Sequence, residues 1–241
     1  MTRTFWDALI LAVGIAVGGA LAGNGLARAR LADRYVEVKG ISEREARADL
    51  AIWPLPIVAA DNDLARANER LEASAHTVRA FLARHGLDTT STHVQDFSVT
   101  DTYLESGEGK EHLTARYIIR ETIVVRSTTP DQVLAASQRV AELVSAGVVL
   151  SSGGGEGGGP TFVFTGLNGL KPAMIAEATA RAREAAEQFA RDSHSRIGGI
   201  RLALQGVFEI LPRDQAPGIS EESQIAKTVR VVSTIDYYLN N

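Results

Sequence analysis

Alternation of apolar and polar residues predicts several β-strands in this chain. Val36 and Val38 alternate with polar neighbours, a period-two pattern that is typical of a half-buried strand. From 116 to 126 the pattern is longer, and it places arginines on one face and apolar residues on the other. Further strands are predicted at about 50–52, 94–104, 148–150, 161–165, 200–210 and 228–239.

Two prolines, Pro54 and Pro56, follow the second of these strands. Proline has no N–H to donate to a neighbouring strand, so a strand that contains it either lies at a sheet edge or ends there. We therefore expect an exposed sheet edge, or a break in the strand, at this point of the chain.

Three helices are predicted between the strands. The first is capped by Asp61 or Asp63 and ends at Gly86. The second begins with a Thr-Pro pair at 129–130, because proline is well tolerated in a first turn, and it ends at Gly147. The apolar stripe predicted for the first helix comprises Leu64, Leu71, Ala75, Val78 and Leu82.

The third helix is expected to begin at Pro172 and to end near residue 195, before Gly198 and Gly199. Strand pairs therefore alternate with single helices through the chain, and this order favours an α+β fold. We predict a largely antiparallel sheet built from β-hairpins alternating with three helices, preceded by one N-terminal transmembrane helix. In this interpretation residues 1–33 are the membrane segment and a short linker, and residues 34–241 are the α+β domain.

The N-terminal segment at 8–27 is apolar except for Asn24, and about twenty such residues are enough to span a bilayer as a helix. Two interpretations remain open. The segment is either an uncleaved anchor with a cytoplasmic N-terminus, or a signal peptide cleaved near Ala22, where Ala20 and Ala22 form a small-residue cleavage site. Arg28 and Arg30 follow the segment and would favour the cytoplasmic side, which opposes export.

Composition excludes several classes of function. The net charge is −4, which argues against nucleic acid as the main partner, because neutralising phosphates requires concentrated Lys and Arg. The chain has no cysteine, so disulfides, thiolate catalysis and zinc-thiolate or iron–sulfur sites are excluded.

No catalytic or metal-binding motif emerges from the remaining residues. The glycine-rich stretch at 153–159 lacks the Lys-Ser/Thr of a phosphate-binding loop and is followed by Pro160, which favours a flexible connector. Ser193 has no Gly-x-Ser-x-Gly context. The acid pairs at 61/63 and 221/222 fall in loops or caps. Five histidines without metal-ligand spacing complete the survey: His76, His85, His93, His112 and His194. We therefore expect no enzyme activity, no cofactor and no metal.

Arg116, Arg120 and Arg126 are the candidate binding residues, because all three are expected on the polar face of one strand. Such a face fits an anionic surface, for example lipid headgroups or an acidic partner. The plainer interpretation is a solvated face with nearby cross-strand acids such as Asp96 or Glu121.

Several segments together resemble the SIMPL domain family, also called DUF541, of bacterial cell-envelope proteins. The resemblance covers residues 34–239 and contains no catalytic signature. The matching segments are YVEVKG at 35–40, EARADLA at 45–51, HGL at 85–87, VQDFSV at 94–99, FVF at 162–164, the alanine-rich helix at 176–190 and IGGI at 197–200.

The resemblance implies a periplasmic or outer-envelope location, an α+β fold, higher oligomers in some members and an association with stress tolerance. It implies no agreed activity and supplies no catalytic residues. From residues and resemblance together we expect a non-enzymatic, single-pass inner-membrane protein whose periplasmic domain self-associates or binds another envelope component. The alternatives are a binding module for a small ligand or anionic lipid, and a hydrolase with a dispersed site.

Overall fold

The computed structural model describes residues 12–21, 23, 34–105, 115–151 and 158–240. Its helices are α1 (12–21), α2 (Leu64–Arg84), α3 (Thr102–Glu105), α4 (Pro130–Ser137), α5 (Ala141–Ser145) and α6 (Leu167–Asp192). Its strands are β1 (Tyr35–Arg47), β2 (Leu50–Asp61), β3 (Thr92–Asp101), β4 (Tyr117–Ser127), β5 (Thr161–Val163), β6 (Arg196–Gln205), β7 (Glu209–Pro212) and β8 (Ala226–Asn240).

The strands form two four-stranded sheets, which confirms the α+β class. One has the order β3-β4-β2-β5, and the other has the order β1-β8-β6, with β7 also paired to β8. The pairings of β4 with β2 and β3, of β5 with β2, and of β6 with β8 are all antiparallel. A single sheet was expected, but strand neighbours depend on contacts that are distant in sequence.

Only part of the predicted membrane segment is described, namely helix α1 and residue 23. Within the described part of the chain, no helix combines the length and the apolar character needed to cross a bilayer. The transmembrane helix therefore stays a prediction. The predicted turn at 106–110 lies outside the described residues, as does most of the glycine-rich stretch.

Contacts divide the chain into two compact units. The first comprises Met1–Glu43, Lys171–Phe208 and Arg230–Asn241, and the second comprises Arg44–Leu170 and Glu209–Val229. Each unit has its own core of buried apolar residues.

In the second unit, α2 packs its apolar stripe against the sheet. The side chain of Asp63 caps the helix by accepting a hydrogen bond from the backbone N–H of Arg66 at 3.1 Å. Gly86, with φ of +75°, follows its end. The predicted stripe is buried apart from Leu64, which is exposed because it is the first residue of the helix.

Of the two alternatives predicted at Pro54 and Pro56, a sheet edge or a break, the break is wrong, because β2 continues through both prolines and pairs with β4 along its length. On the side of β2 away from β4, the N–H of Val58 donates a hydrogen bond to the carbonyl oxygen of Val149. Because backbone groups alternate along a strand, the nitrogens of Pro54 and Pro56 point to that same side, beyond the end of the three-residue strand β5. The absence of these two N–H groups therefore removes no hydrogen bond between β2 and β4.

The later helices differ from the sequence prediction. The second predicted helix is divided into α4 and α5, with a turn at 138–140 between them. Helix α6 begins at Leu167, so Pro172 lies inside it rather than at its start. Only one helical hydrogen bond needs the missing N–H, and packing of the helix against the sheet outweighs that loss.

The prediction that the glycines at 198–199 end the third helix was also wrong, because they lie in β6. The strand predicted at 200–210 is instead two strands, β6 and β7.

In the first unit, small side chains let α6 approach β1 closely. The buried face of α6 carries Ala178, Ala182, Ala186 and Ala190 at intervals of four. A Cβ added to Gly40 of β1 would overlap the Ala178 carbonyl oxygen and lie 2.5 Å from the Ala182 nitrogen. Only glycine therefore fits at position 40 without moving the helix backbone.

Candidate functional site

Strand β3 is an open edge, by which we mean an edge strand with no strand paired on its outer side. It is ten residues long, and among the described strands it pairs only with β4. Val94, Phe97 and Val99 are 48%, 56% and 48% exposed. A strand edge of this length leaves a row of backbone donors and acceptors unpaired, and natural proteins usually protect such edges.

The pairing of β3 with β4 is irregular at one point. Its register shifts between Gln95 and Ser98, and Asp96 has a φ of +56° within that shift. This geometry is that of a β-bulge, which bends a strand and redirects its side chains. The bulge leaves Asp96 exposed, and among the described residues it forms no ion pair.

A groove of about 730 Å³ lies between β3, β4 and the first turn of α2. It is continuous with the β3 edge, because Phe97 and Val99 line it. Its remaining apolar lining comes from Leu64, Ala65, Tyr117 and Ile119, and its polar lining from Asn62, Asp63, Asn68 and Arg116. An extended partner segment paired to β3 would place alternate side chains over this groove.

Arg116 is held by internal interactions beside the groove. Its Nε and Nη2 donate to Asp101 Oδ2 at 3.1 and 3.0 Å. Its guanidinium lies 4.9 Å from the centre of the Tyr117 ring and 5.6 Å from that of Tyr103. The hydrogen bond with Asp101 raises the pKa of Arg116, and the same bond lowers the pKa of Asp101. This arginine therefore stabilises the end of the β3–β4 pair.

Arg120 and Arg126 differ from Arg116, which is paired with Asp101. Both are exposed on β4, opposite Val58 and Ile52 of β2, and neither forms an ion pair within the described residues. Glu121 does not pair with them, and burial raises the pKa of its carboxyl group. Of the three predicted contact residues, two thus remain available to an external anion.

Strand β6 is a second open edge, in the other unit. Of the strands that the structure describes, β8 alone pairs with it, and Ile200, Leu202 and Leu204 are exposed. Its register also shifts, between Ile197 and Ile200 and again between Ile200 and Leu202. Sequence reasoning missed both open edges, although alternating apolar residues in VQDFSV and IRLAL are a signal for exposed strands.

The remaining chemistry-bearing groups have structural explanations. In the described part of the chain, no three His, Asp or Glu side chains are grouped so as to hold a metal ion. Lys227 is fully buried, but its Nζ donates to the carbonyl oxygens of Phe162, at 2.8 Å, and Glu221, and pairs with Glu221 Oε1 at 2.5 Å. All three of its donors are used, so Lys227 ties the loop before β8 to β5.

These features define an α+β protein with two antiparallel sheets, each with a long apolar edge that no strand of the described chain covers. The chain belongs to the SIMPL family, described as a protein of unknown function (DUF541), whose family model matches residues 36–233. No curated protein matches the chain.

Replacing Lys227 by Ala is expected to lower the free energy of unfolding by roughly 3–5 kcal/mol, because the change removes a fully buried side chain and leaves two carbonyls and the partly buried Glu221 carboxylate without their partner. The control is Arg47→Ala, which breaks an ion pair with Asp131 whose side chains are 65% and 73% exposed. That change is expected to cost less than about 1 kcal/mol. Urea unfolding followed by fluorescence of the buried Trp53 measures both values, and equal costs would contradict the structural role of Lys227.

Proposed function

We propose that this protein is a non-enzymatic, membrane-anchored envelope protein that self-associates, or binds another envelope component, through its open strand edges. The observation that carries the proposal is the β3 edge, which is ten residues long, apolar and continuous with a groove of about 730 Å³. Strand addition at such an edge uses backbone hydrogen bonds for affinity and side-chain pockets for specificity.

The physical argument for assembly is the combination of unpaired backbone groups and exposed apolar side chains on the same strand. A partner strand would replace water at the backbone and cover Val94, Phe97 and Val99. Pairing of the backbone groups and burial of the apolar side chains are both favourable only where the two strands match in register and side-chain pattern. An edge with this composition is therefore a specific surface for another polypeptide.

The location in the proposal is supported by the apolar segment at 8–27 and by family membership. We place the N-terminus in the cytoplasm and the domain in the periplasm, with cleavage near Ala22 as the alternative. The intact mass of the protein extracted from membranes tests this. For an anchor we expect the mass of the full chain, with residues 1–22 retained. The mass of a chain that begins near residue 23 would show instead that the segment is a cleaved signal peptide.

Changing Phe97 to Lys tests the role of the β3 edge. A lysine there would lose its hydration when a partner strand docks, so association is expected to weaken by at least about tenfold. Sedimentation of the full chain in detergent measures the oligomer mass over a range of concentrations. The matched control is Phe189→Lys, the same change at a residue of α6 that is similarly exposed.

The expected result is a smaller oligomer for Phe97→Lys and an unchanged one for Phe189→Lys. A wild-type chain that stays monomeric at high concentration would contradict self-association. An oligomer that is equally stable in both variants would show that assembly does not use the β3 edge.

A second candidate function is binding of an anionic lipid surface, and the observation that favours it is the exposure of Arg120 and Arg126 without ion-pair partners in the described chain. Each basic residue near an anionic membrane contributes about 1 kcal/mol, so the double change to Ala is expected to weaken binding by about 30-fold. Flotation of the 34–241 fragment with phosphatidylserine vesicles measures this, because the fragment lacks the apolar segment.

Equal loss of charge elsewhere provides the control for the lipid experiment. Arg183 and Arg191 lie on α6, and their double change to Ala removes the same charge from another element. Unchanged flotation of the Arg120/Arg126 variant would discard the lipid interpretation. Equal losses in both variants would show a general effect of net charge.

A further inference from the structure

We propose that one end of the first unit docks in the headgroup layer of the membrane that carries the N-terminal segment. We call this surface the aromatic end, and it comprises Tyr35, Phe189, Tyr238 and the partly buried Leu239. This inference rests on the membrane anchor proposed above and specifies which surface of the domain meets the bilayer. It concerns a different surface from Arg120 and Arg126, which belong to the second unit.

Three elements of the first unit meet at the aromatic end: the start of β1, the end of β8 and the last turns of α6. Tyr35, Phe189 and Leu239 line one depression of about 370 Å³ there, together with Arg34 and Ser193. The side chains of Tyr35 and Phe189 are 45% and 48% exposed. Two aromatic side chains from separate elements therefore share one accessible surface.

The two tyrosines of the aromatic end face each other on neighbouring strands. The N–H of Leu239, in β8, donates to the carbonyl oxygen of Arg34 at 2.8 Å, just before β1 begins. Further along β1, Glu43 pairs with Arg230 of β8 at 3.4 Å. Both contacts fit one antiparallel register, in which the two tyrosines are directly opposite. Facing residues have Cβ atoms about 4.5–5.5 Å apart, so the two rings form one patch.

Exposed aromatic side chains are concentrated at this end. In the described part of the chain five aromatic side chains are exposed, and three of them are Tyr35, Phe189 and Tyr238. The other two, Phe97 and Tyr103, lie in the second unit. Tyrosine combines an apolar ring with a polar hydroxyl group, and it is enriched where a membrane meets water. The composition of the aromatic end therefore fits the headgroup layer.

Most charged groups near the aromatic end are satisfied within the chain. Arg201 lies 4.0 Å from the centre of one tyrosine ring of this end, and it pairs with Asp236 at 3.4 Å. In the last turn of α6, Arg191 and Asp192 both form hydrogen bonds with Gln188. Docking in the headgroup layer therefore uses aromatic and apolar surface and needs no unpaired charge from this end.

The chain enters the first unit at the aromatic end. β1 begins at Tyr35, whereas the predicted membrane segment ends near residue 27. The residues at 28–33 span at most about 20 Å even when fully extended. Helix α6 has 26 residues and is about 39 Å long, so it is longer than this connection. An anchor would therefore hold the aromatic end close to the bilayer and raise its effective concentration there.

The opposite end of the first unit is charged. Glu43 pairs with Arg230 at 3.4 Å, and Glu177 pairs with Arg181 at 3.0 Å. None of the five exposed aromatic side chains lies at that end. Removing charged groups from water is costly, so this end is not suited to the headgroup layer. Composition and the point of chain entry therefore select the same surface.

Quenching of a fluorescent label by lipids with a nitroxide on the headgroup tests the contact, since the natural sequence has no cysteine that would also be labelled. The full chain carries bimane on Ser193→Cys and is reconstituted in phosphatidylcholine–phosphatidylglycerol vesicles. The control label is on Ala176→Cys, which is exposed on the same helix about 25 Å away. We expect loss of fluorescence at position 193 and none at position 176.

Changing Tyr238 to Ser tests whether the aromatic side chains cause the docking. The change removes a side chain that is 37% exposed, so less apolar surface enters the headgroup layer. The ratio of quenched to unquenched label at position 193 is expected to fall at least about fivefold. The matched control is Tyr103→Ser, the same change at an exposed tyrosine of the second unit, and quenching there is expected to stay unchanged. Circular dichroism confirms that each variant is folded.

Extraction of the vesicles with alkaline carbonate distinguishes failure of this inference from failure of the anchor. Equal quenching at positions 193 and 176 in a chain that resists extraction would overturn the docking and leave the anchor standing. A chain that the extraction removes would overturn both. A label at position 193 that is shielded from the nitroxide lipids and from dissolved iodide would show that a protein surface covers the aromatic end, which would also overturn the docking. Equal losses in the two tyrosine variants would overturn the role of the aromatic side chains.

Discussion

The pairing of backbone groups at strand edges is the constraint on which the properties of this protein depend. Every sheet that does not close has two edges, and the N–H and C=O groups there need water or another strand. The chain satisfies this need differently at different edges. β5 is only three residues long, β1 is charged, and β3 and β6 are long and apolar. Only the last two combine unpaired backbone groups with apolar side chains, so they are the surfaces suited to assembly.

Features decided within a few residues of the chain could be predicted from the sequence. Asp63, one of the two caps considered for α2, the glycine after α2 and the Thr-Pro start of α4 are in this group, although the side chain of Thr129 makes no capping hydrogen bond. Alternation in the strand predicted at 228–239 also places Val229, Val231, Ile235, Tyr237 and Leu239 on one face, and in the structure the first four are buried and Leu239 is partly buried.

Features decided by distant contacts could not be predicted in the same way. The sequence shows that Pro54 and Pro56 lack N–H groups. Only the positions of β4 and β5 show that the proline nitrogens point away from β4, where no hydrogen bond is lost. Gly40 reads as an ordinary glycine until α6 is placed on β1. Arg116 fits the alternation of β4. Its hydrogen bond to Asp101 makes it a structural residue, whereas Arg120 and Arg126 form no ion pair within the described residues. In each case, the deciding partner is too far away in sequence for a local pattern to indicate it.

In the proposed function, an apolar strand edge and a membrane anchor act together. Pairing of two edges by itself is weak, because a few strand residues bury little surface and ordering them costs conformational entropy. Attachment to one membrane confines copies to a plane and raises their effective concentration, which strengthens association without any new contact. Edges that are only moderately apolar would then assemble at the membrane and stay apart in dilute solution. In the proposed function, the anchor would therefore set how strong the contacts between open edges need to be.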